Sequence, residues 1–168
     1  MSFRACVLTV STKGARGERA DESGEKISEA LARLPAEIVG RAIVSDELPD
    51  IQRQLREWLR ATDPDLIVLT GGTGLGPRDV TPQAIEPLFD YAVPGIAEAM
   101  RAAGMHKTPH AMLSRSVAGV IGKTLVLALP GSPRGVADSL EAVMEALPHG
   151  LRTLRGEVSD APAAHRPS

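Results

Sequence analysis

Short apolar runs alternate along the chain with longer segments whose apolar residues recur every three or four positions. An unbroken apolar run is typical of a buried strand, and the wider spacing is typical of an amphipathic helix. We therefore predict strands over residues 5–10, 37–44, 66–70 and 124–129, and helices over residues 21–34, 49–59, 81–89, 94–103 and 133–147. This alternation predicts an α/β domain with a mostly parallel central sheet.

Three segments are not fixed by this pattern. Residues 11–20 are polar and predict a long loop after the first strand, and long ordered loops are often functional. Residues 108–120 predict a short helix or a loop that leads into an edge strand. Residues 157–168 are polar and rich in Ala, Pro and Ser, so we expect a domain over residues 1–156 and a flexible tail after it.

The most distinctive stretch lies near the middle of the chain. The apolar run Leu66–Thr70 precedes four glycines within six residues, and Thr81 and Pro82 then predict the start of a helix, with Thr81 as its cap. Glycines after a buried strand let successive amides turn toward an anion. The stretch is not a Walker A motif, because Pro77 and Arg78 stand where Lys and Ser or Thr are needed. It is not a dinucleotide fingerprint either, because Gly76 comes one residue too early for the third glycine of that motif.

Polar residues directly follow each predicted parallel strand. Ser11 follows the first strand, Asp46 the second, the glycines the third and Ser132 the last. Ligands of open parallel sheets bind outside the carboxyl ends of the strands. We therefore expect these residues to converge on one edge of the sheet.

Asp46 and Asp79 are the carboxylates that we expect to carry chemistry. Two carboxylates beside a phosphate cradle suit Mg²⁺, a hard cation that takes oxygen ligands and retains several waters. Arginines and serines near the same edge add donors for phosphate oxygens. The side chains that could supply these donors are Arg78, Arg115, Ser114, Ser116 and Ser132.

Each of these features also has a structural alternative. The glycines can form a tight turn without a ligand, Asp46 can cap the turn before Pro49, and Asp79 can balance the charge of Arg78. The combination favours a phosphate-containing ligand with Mg²⁺. Residue chemistry alone leaves nucleotidyl transfer, phosphoryl transfer and simple binding open.

Composition and charge narrow the class of partner. Hydrophobic residues make up 43% of the 168 residues, charged residues make up 24%, and the formal net charge is −2 without a block of like charge. We therefore expect neither nucleic acid nor a membrane surface as a partner. The single cysteine, Cys6, lies in an apolar run and is expected to be a buried hydrophobe. The first residues lack the apolar segment of a signal peptide, so we expect a cytoplasmic protein.

Eight short motifs occur in an order that is characteristic of one family. They are Thr9-Val10-Ser11, Asp21-x-Ser23-Gly24, Ser45-Asp46-Glu47, Thr70-Gly71-Gly72-Thr73-Gly74, Pro77-Arg78-Asp79-Val80-Thr81-Pro82, Pro94-Gly95, Ala111-Met112-Leu113-Ser114-Arg115-Ser116 and Leu129-Pro130-Gly131-Ser132-Pro133. On these residues the chain resembles the molybdopterin adenylyltransferases of the MogA/MoaB family, over roughly residues 7–154. The combination is far more specific than a lone glycine motif.

The resemblance implies a three-layer α/β/α sandwich that forms homotrimers or hexamers. It implies an enzyme of molybdenum cofactor biosynthesis that uses Mg-ATP to adenylylate the terminal phosphate of molybdopterin, with release of pyrophosphate. The adenylylated pterin would then pass to a separate molybdenum-insertion protein.

The family's catalytic, metal-binding aspartates fall on Asp46 and Asp79, and its pterin-side serine falls on Ser114. The substrate-binding residues that we predict are Ser11, Ser23, Gly71, Gly72, Thr73, Gly74, Arg78, Thr81, Ser114, Arg115, Ser116, Pro130, Gly131 and Ser132.

Two residues depart from the family pattern. Ser132 stands where many relatives have Asn, and Ser45 stands where close relatives often have Pro, so the nucleotide-side contact at Ser132 is expected to differ.

Two alternative functions are open beside the adenylyltransferase. One alternative is a non-catalytic molybdopterin-binding or scaffold member, against which the retained Asp46 and Asp79 count. The second is a nucleotide-hydrolysing protein similar to CinA, against which residues 111–116 count.

Overall fold

The computed structural model describes residues 2–158, which form one sheet flanked by helices. The strands are β1 (Phe3–Val10), β2 (Ala36–Val44), β3 (Leu66–Thr70), β4 (Tyr91–Ala92), β5 (Ala118–Ile121) and β6 (Thr124–Leu129). The α-helices are α1 (Thr12–Ala15), α2 (Glu22–Leu31), α3 (Leu48–Ala61), α4 (Thr81–Ile85), α5 (Pro94–Met105), α6 (Pro133–Val143) and α7 (Leu147–Leu154). Short 3₁₀ helices cover Glu86–Leu88 and Pro109–Leu113.

The sheet has the strand order β2-β1-β3-β6-β5-β4. Its first four strands are parallel, and β5 pairs in antiparallel fashion with both β6 and β4. The prediction of an α/β domain with a mostly parallel sheet is therefore confirmed.

Helices cover both faces of the sheet, and the strand side chains alternate between two hydrophobic cores. On β1, Ala5 and Val7 face the core that includes α2, α5, α6 and α7, whereas Cys6 and Leu8 face the core that includes α3 and α4. All five residues of β3 are buried. This confirms the three-layer α/β/α arrangement and explains why β1 and β3 read as unbroken apolar runs.

The single cysteine is fully buried, as expected. Burial raises the pKa of the Cys6 thiol, which keeps it protonated at neutral pH. Its sulfur lies beside Gly40 of β2, where an added Cβ would come within 2.9 Å of Cys6 Sγ and 2.8 Å of Trp58 Nε1. A glycine at this position therefore allows the Trp58 ring to pack directly on the sheet.

The segment 108–120 was predicted to lead into an edge strand; the strand exists as β5, but its predicted place at the edge of the sheet was wrong. β5 lies between β6 and β4, so the two-residue strand β4, with exposed Tyr91, forms the edge. A strand of two residues is too short to produce an alternating hydrophobic pattern, and its pairing partner begins only at Ala118.

The predicted loop after β1 and the bounds of several predicted helices also differ from the structure. The helix predicted over residues 21–34 ends at Leu31, and the one predicted over residues 81–89 is α4 followed by the 3₁₀ helix Glu86–Leu88. The predicted loop over residues 11–20 contains α1, which begins because the Ser11 side chain accepts a hydrogen bond from the Gly14 amide. The helix predicted over residues 133–147 is α6, which already ends at Val143. The sequence pattern did not predict α7, which begins at Leu147 with Pro148 in its first turn, a position where proline suits a helix start.

The expected domain boundary and carboxy-terminal tail stay predictions. The flexible tail predicted from Glu157 lies outside the described residues from residue 159 onward, and the boundary at residue 156 stays a prediction. Among residues 2–158, no helix combines the length and apolar composition that crossing a membrane requires.

An ion pair lies at the amino-terminal ends of β1 and β3. Arg155, just after α7, donates to both carboxylate oxygens of Asp65, at 2.7 and 2.6 Å, and lies over the Phe3 ring. Asp65 Oδ2 also accepts the Arg4 amide at 2.7 Å. Burial alone would raise the pKa of Asp65, but the hydrogen bonds from Arg155 and Arg4 and the charges of both arginines hold that pKa below its ordinary value.

We expect Asp65→Asn to lower the free energy of unfolding by about 2 kcal/mol at neutral pH, because the hydrogen bonds lose their charge. A carboxylate with a lowered pKa in the folded state stabilises the fold above the unfolded-state pKa of about 3.9, and this contribution is lost as pH falls through the folded-state value. Urea unfolding of wild type and variant between pH 7 and pH 2 measures the difference. The control is Glu141→Gln at an exposed ion pair, and a loss at Asp65 that persists at the lowest pH would contradict the assignment.

Candidate active site

The carboxyl ends of β2, β1, β3 and β6 lie side by side at one edge of the sheet. The chain leaves β1 for β2 on one side, whereas β3 leads toward β6 on the opposite side, so the winding direction reverses between β1 and β3. Such a reversal opens a crevice in which open α/β sheets bind ligands. Ser11 and Gly71 lie directly beside this crevice, one after each strand.

The glycines after β3 adopt backbone conformations that other residues avoid. Gly71 has φ of +98° and Gly72 has φ of +69°. An added Cβ at Gly71 would collide with the Val10 carbonyl oxygen, and one at Gly72 would collide with Thr81 Oγ1. The two glycines therefore let β3 turn sharply against the end of β1.

This turn leaves backbone donors available at the crevice. Within residues 2–158, the amides of Gly72, Thr73 and Gly74 donate to no protein acceptor. The carbonyls of Gly71 and Gly72 are instead satisfied by Thr81, whose hydroxyl and amide donate at 2.7 and 3.0 Å. Successive amides without protein acceptors form the kind of concave surface that binds anions.

Hydrogen bonds tie the loops around the crevice to one another. The Thr70 hydroxyl donates to the Pro130 carbonyl at 2.6 Å, and the Ser23 hydroxyl donates to the Gly131 carbonyl at 2.7 Å. Gly131 approaches Gly71 so closely that an added Cβ would lie 3.3 Å from Gly71 Cα. The loops after β3 and β6 and the start of α2 therefore form one connected wall.

A first cavity of about 790 Å³ lies over the ends of β1 and β3. Charged side chains from the loop after β1, the start of α2 and the loops after β2 and β3 line it. The cationic members are Lys13, Arg16, Arg19 and Arg78, and the anionic members are Glu18, Asp21, Glu22, Asp46 and Asp79.

Asp46 and Asp79 both line this first cavity. The Thr12 hydroxyl donates to Asp46 Oδ2 at 2.8 Å, and the Gly76 amide donates to Asp79 Oδ2 at 2.9 Å. An added Cβ at Gly74 or Gly76 would come within 2.8 or 2.9 Å of Asp79 Oδ2, so these glycines make room for the carboxylate. Asp79 is thus held in place by its own loop, whereas Asp46, in the loop after β2, is held by Thr12 of α1.

The residues present fit a hydrated Mg²⁺ ion better than an all-protein metal cage. Within residues 2–158, no group of three or more His, Cys, Asp or Glu side chains is placed to hold a metal. Mg²⁺ is usually bound by one or two carboxylates together with waters and substrate phosphates. Asp46 and Asp79, which line the same cavity, would supply these carboxylates.

A second cavity of about 580 Å³ lies on the opposite side of the glycine loop. Leu75, Met100 and Leu113 contribute apolar walls, and Ser114 lies among them. The Ser114 hydroxyl donates to Ser116 Oγ at 2.9 Å. Arg101 on α5 donates to the Ser116 carbonyl at 2.7 Å and the Ser114 carbonyl at 3.4 Å, which fixes this segment at the cavity wall.

The two cavities meet at a small group of shared residues. Gly72, Asp79, Gly131 and Ser132 line both. Ser132 caps α6, where its side chain accepts the Gly135 amide at 3.0 Å, so the positive end of this helix dipole faces the junction. The site therefore has two compartments with a common boundary at which anionic groups are favoured.

Comparison with known proteins identifies the family. Residues 6–149 match the family described as the probable molybdopterin binding domain. The crystal structure of the molybdopterin biosynthesis enzyme MoaB from Thermus thermophilus is similar with a TM-score of 0.87 at 53% identity, over 92% of this chain and 97% of that chain. The chain belongs to the MogA/MoaB family.

Curated relatives of this MogA/MoaB chain include both short and long proteins. The molybdopterin adenylyltransferase of Helicobacter pylori is 37% identical over 153 residues, which cover 89% of this chain and 86% of that protein. Gephyrin of Dictyostelium discoideum is 36% identical over 171 residues, which cover 95% of this chain but 24% of gephyrin. The chain also spans about half the length of two bifunctional molybdenum cofactor biosynthesis proteins that it matches.

Most of the predicted site residues of this MogA/MoaB chain line one or both cavities. Those at the first cavity are Ser11, Ser23, Asp46, Gly71, Gly72, Arg78, Asp79, Gly131 and Ser132, and those at the second are Gly72, Thr73, Gly74, Asp79, Ser114, Ser116, Pro130, Gly131 and Ser132.

Thr81 and Arg115 are placed differently. Thr81 is fully buried and is the first residue of α4, whose cap is Val80, so the prediction of Thr81 as the cap was wrong. Its side chain bonds Gly71 in place of a ligand because the glycine turn brings the Gly71 carbonyl to it. The Arg115 side chain bonds protein acceptors on the glycine loop and its neighbours, and lines neither cavity.

Sequence reasoning missed three cations at the first cavity. Lys13, Arg16 and Arg19 recur at every third position in and after α1 and line the cavity together. Three cations at regular spacing directly after a strand of the parallel sheet could have indicated an anion site. The prediction treated residues 11–20 only as a polar loop and did not consider this spacing.

Proposed function

We propose that the chain acts in molybdenum cofactor biosynthesis by transferring AMP from Mg-ATP to the terminal phosphate of molybdopterin. The observation that carries this proposal is the pair of cavities with different linings that share Asp79 and the glycine loop. A transferase for two anionic substrates needs separate compartments that meet where the new bond forms. Similarity to the molybdopterin adenylyltransferase of Helicobacter pylori supports the same reaction.

The first cavity suits the nucleotide. Lys13, Arg16, Arg19 and Arg78 offer charge for a triphosphate, and Asp46 and Asp79 offer oxygen ligands for its cation. Asp46 and Asp79 would hold Mg²⁺, which would neutralise charge on the triphosphate and make its α-phosphorus more electrophilic.

The second cavity suits the pterin. Leu75, Met100 and Leu113 provide apolar contacts for a flat ring, and Ser114 provides a polar contact. With the pterin ring against these apolar residues, the terminal phosphate of molybdopterin would point to the residues shared by the two cavities. The Gly72 amide, Ser132 and the start of α6 favour an anion there. The two substrate phosphates therefore meet beside Asp79.

The proposed reaction is a single displacement at phosphorus. An oxygen of the molybdopterin phosphate forms a bond to the α-phosphorus of ATP, and the bond from that phosphorus to the bridging oxygen of the β-phosphate breaks. Pyrophosphate leaves with the electron pair. The amides of residues 72–74 and the cations of the first cavity stabilise the charge that develops.

Purified protein with molybdopterin, Mg²⁺ and ATP tests the proposal, with pyrophosphate and adenylylated pterin as the measured products. The adenylyltransferase releases both in equal amounts and only when molybdopterin is present. A scaffold protein binds molybdopterin without consuming ATP, and a nucleotide-hydrolysing protein releases product without the pterin. Either of these last two results overturns the proposed function.

We expect Ser114→Ala to weaken molybdopterin binding about tenfold, because one polar contact to the pterin is worth roughly 1–1.5 kcal/mol. ATP affinity is expected to stay unchanged, since Ser114 lines only the second cavity of the pair. Equilibrium titration of each ligand measures both effects. Ser28→Ala on α2, away from both cavities, is the control, and unchanged molybdopterin affinity in Ser114→Ala would reject the pterin-side role.

Several consequences of the resemblance stay predictions. These are assembly into a homotrimer or hexamer, transfer of the adenylylated pterin to a separate molybdenum-insertion protein, and a cytoplasmic location. Sedimentation of the purified chain tests the first of them.

A further inference from the structure

Arg115 directs every nitrogen of its side chain at an acceptor from another segment of the chain. Nε donates to the Gly74 carbonyl at 2.8 Å, Nη2 to the Asp79 carbonyl at 2.7 Å and Nη1 to Gln83 Oε1 at 3.1 Å. The Arg115 amide also donates to the Thr73 carbonyl at 2.7 Å. Three of the five N–H donors of the guanidinium are thus engaged by protein acceptors, which orients the side chain toward the glycine loop.

The segment that Arg115 holds has little other support. Residues 75–78 are exposed, and a Gly76–Asp79 turn provides the loop's internal hydrogen bonds at 2.9 and 3.0 Å. Arg115 contacts the backbone at both ends of this exposed loop, at Gly74 and at Asp79. One planar guanidinium therefore fixes the distance between the two ends and the position of Asp79.

Arg115 is also next in the chain to a residue that lines the second cavity. Ser114 precedes it and lines that cavity, whereas Asp79, which Arg115 holds, lines both cavities. Contacts that a ligand makes with Ser114 are thus one peptide bond away from the residue that anchors the Asp79 loop.

We propose that Arg115 is a positioning residue that couples occupancy of the second cavity to the placement of Asp79 in the first. This inference rests on the proposed function, in which the second cavity takes molybdopterin and the first takes Mg-ATP. Molybdopterin bound beside Ser114 holds the Arg115 backbone, and the guanidinium holds the loop that carries Asp79. Coupling of this kind is reciprocal, so each ligand strengthens binding of the other by the same factor.

The test uses Arg115→Met, which keeps most of the stem but removes the guanidinium, and Arg115→Lys, which keeps the charge without the planar fork. In wild type, saturating molybdopterin is expected to strengthen binding of an ATP analogue that cannot transfer AMP by about fivefold or more. In Arg115→Met this factor is expected to fall to about one, while molybdopterin affinity without nucleotide changes little. The kcat for AMP transfer is expected to fall about 100-fold, because a misplacement near 1 Å has that effect.

Arg115→Lys is expected to fold and to retain part of the coupling, which keeps the proposal testable if Arg115→Met does not fold. The matched control is Arg33→Met, which removes an exposed arginine from the turn that follows α2. Wild-type coupling and kcat in Arg115→Met, or no coupling in wild type, would overturn the inference. The binding experiments use a non-transferable analogue, so absence of AMP transfer in wild type would reject the proposed function without deciding the coupling.

Discussion

Replacing Asp79 by Asn is expected to lower the rate of AMP transfer by roughly 1,000-fold, the scale of removing a preorganised electrostatic group from an active site. Asp79 lines both cavities, and its Oδ2 is already fixed by the Gly76 amide. The substitution keeps the shape of the side chain but removes the charge that a Mg²⁺ ligand needs. Molybdopterin binding is expected to stay near the wild-type value, because the pterin contacts that we propose lie at Leu75, Leu113 and Ser114.

Single-turnover transfer with ATP labelled at the α-phosphate measures this effect. Asp63→Asn is the matched control, because Asp63 is exposed and has φ of 43°, a conformation that Asn tolerates. A wild-type rate in Asp79→Asn would remove Asp79 from the catalytic group. Loss of molybdopterin binding in the same variant would show that Asp79 also holds the pterin.

Asp46→Asn is the second substitution that we expect to lower the rate of AMP transfer strongly. Asp46 lines only the first of the two principal cavities, and its Oδ2 accepts a hydrogen bond that the amide oxygen of Asn can also accept from Thr12. We expect the rate to fall by roughly 100-fold, with a higher Mg²⁺ concentration needed for half-maximal rate. Raising Mg²⁺ is expected to recover part of the lost rate.

The double variant Asp46→Asn/Asp79→Asn distinguishes a shared metal from two independent roles. Groups that act as a unit give losses that do not add. We therefore expect the double variant to be about as slow as Asp79→Asn alone. A loss equal to the product of the two single losses would mean that the aspartates act separately.

The parts of the fold and site that sequence predicts are those governed by local patterns. β1 and β3 are buried on both faces, so their apolar runs are unbroken and identify them. Asp46 and the glycines follow strands of a parallel sheet, and the rule that ligands bind at the carboxyl ends places them together. Ser132 caps α6 as its position before Pro133 predicts.

The parts that sequence does not predict depend on contacts between distant segments. The wall of the second cavity combines Leu75, Met100, Leu113 and Ser139, which no local pattern connects. Arg115 was a candidate phosphate donor because arginine can bind a phosphate bidentately. Its direction is set by the carbonyls of Gly74 and Asp79, some 36 to 41 positions away in the sequence.

Simultaneous binding of both substrates is the sharpest test of the two-compartment site. Molybdopterin is titrated calorimetrically into protein saturated with Mg²⁺ and an ATP analogue whose α- and β-phosphorus atoms are joined by a methylene group. The shared boundary at Gly72, Asp79, Gly131 and Ser132 predicts that one molybdopterin binds per chain while the nucleotide stays bound. Displacement of the nucleotide by molybdopterin would mean that both occupy one compartment, and would contradict the proposed transfer between them.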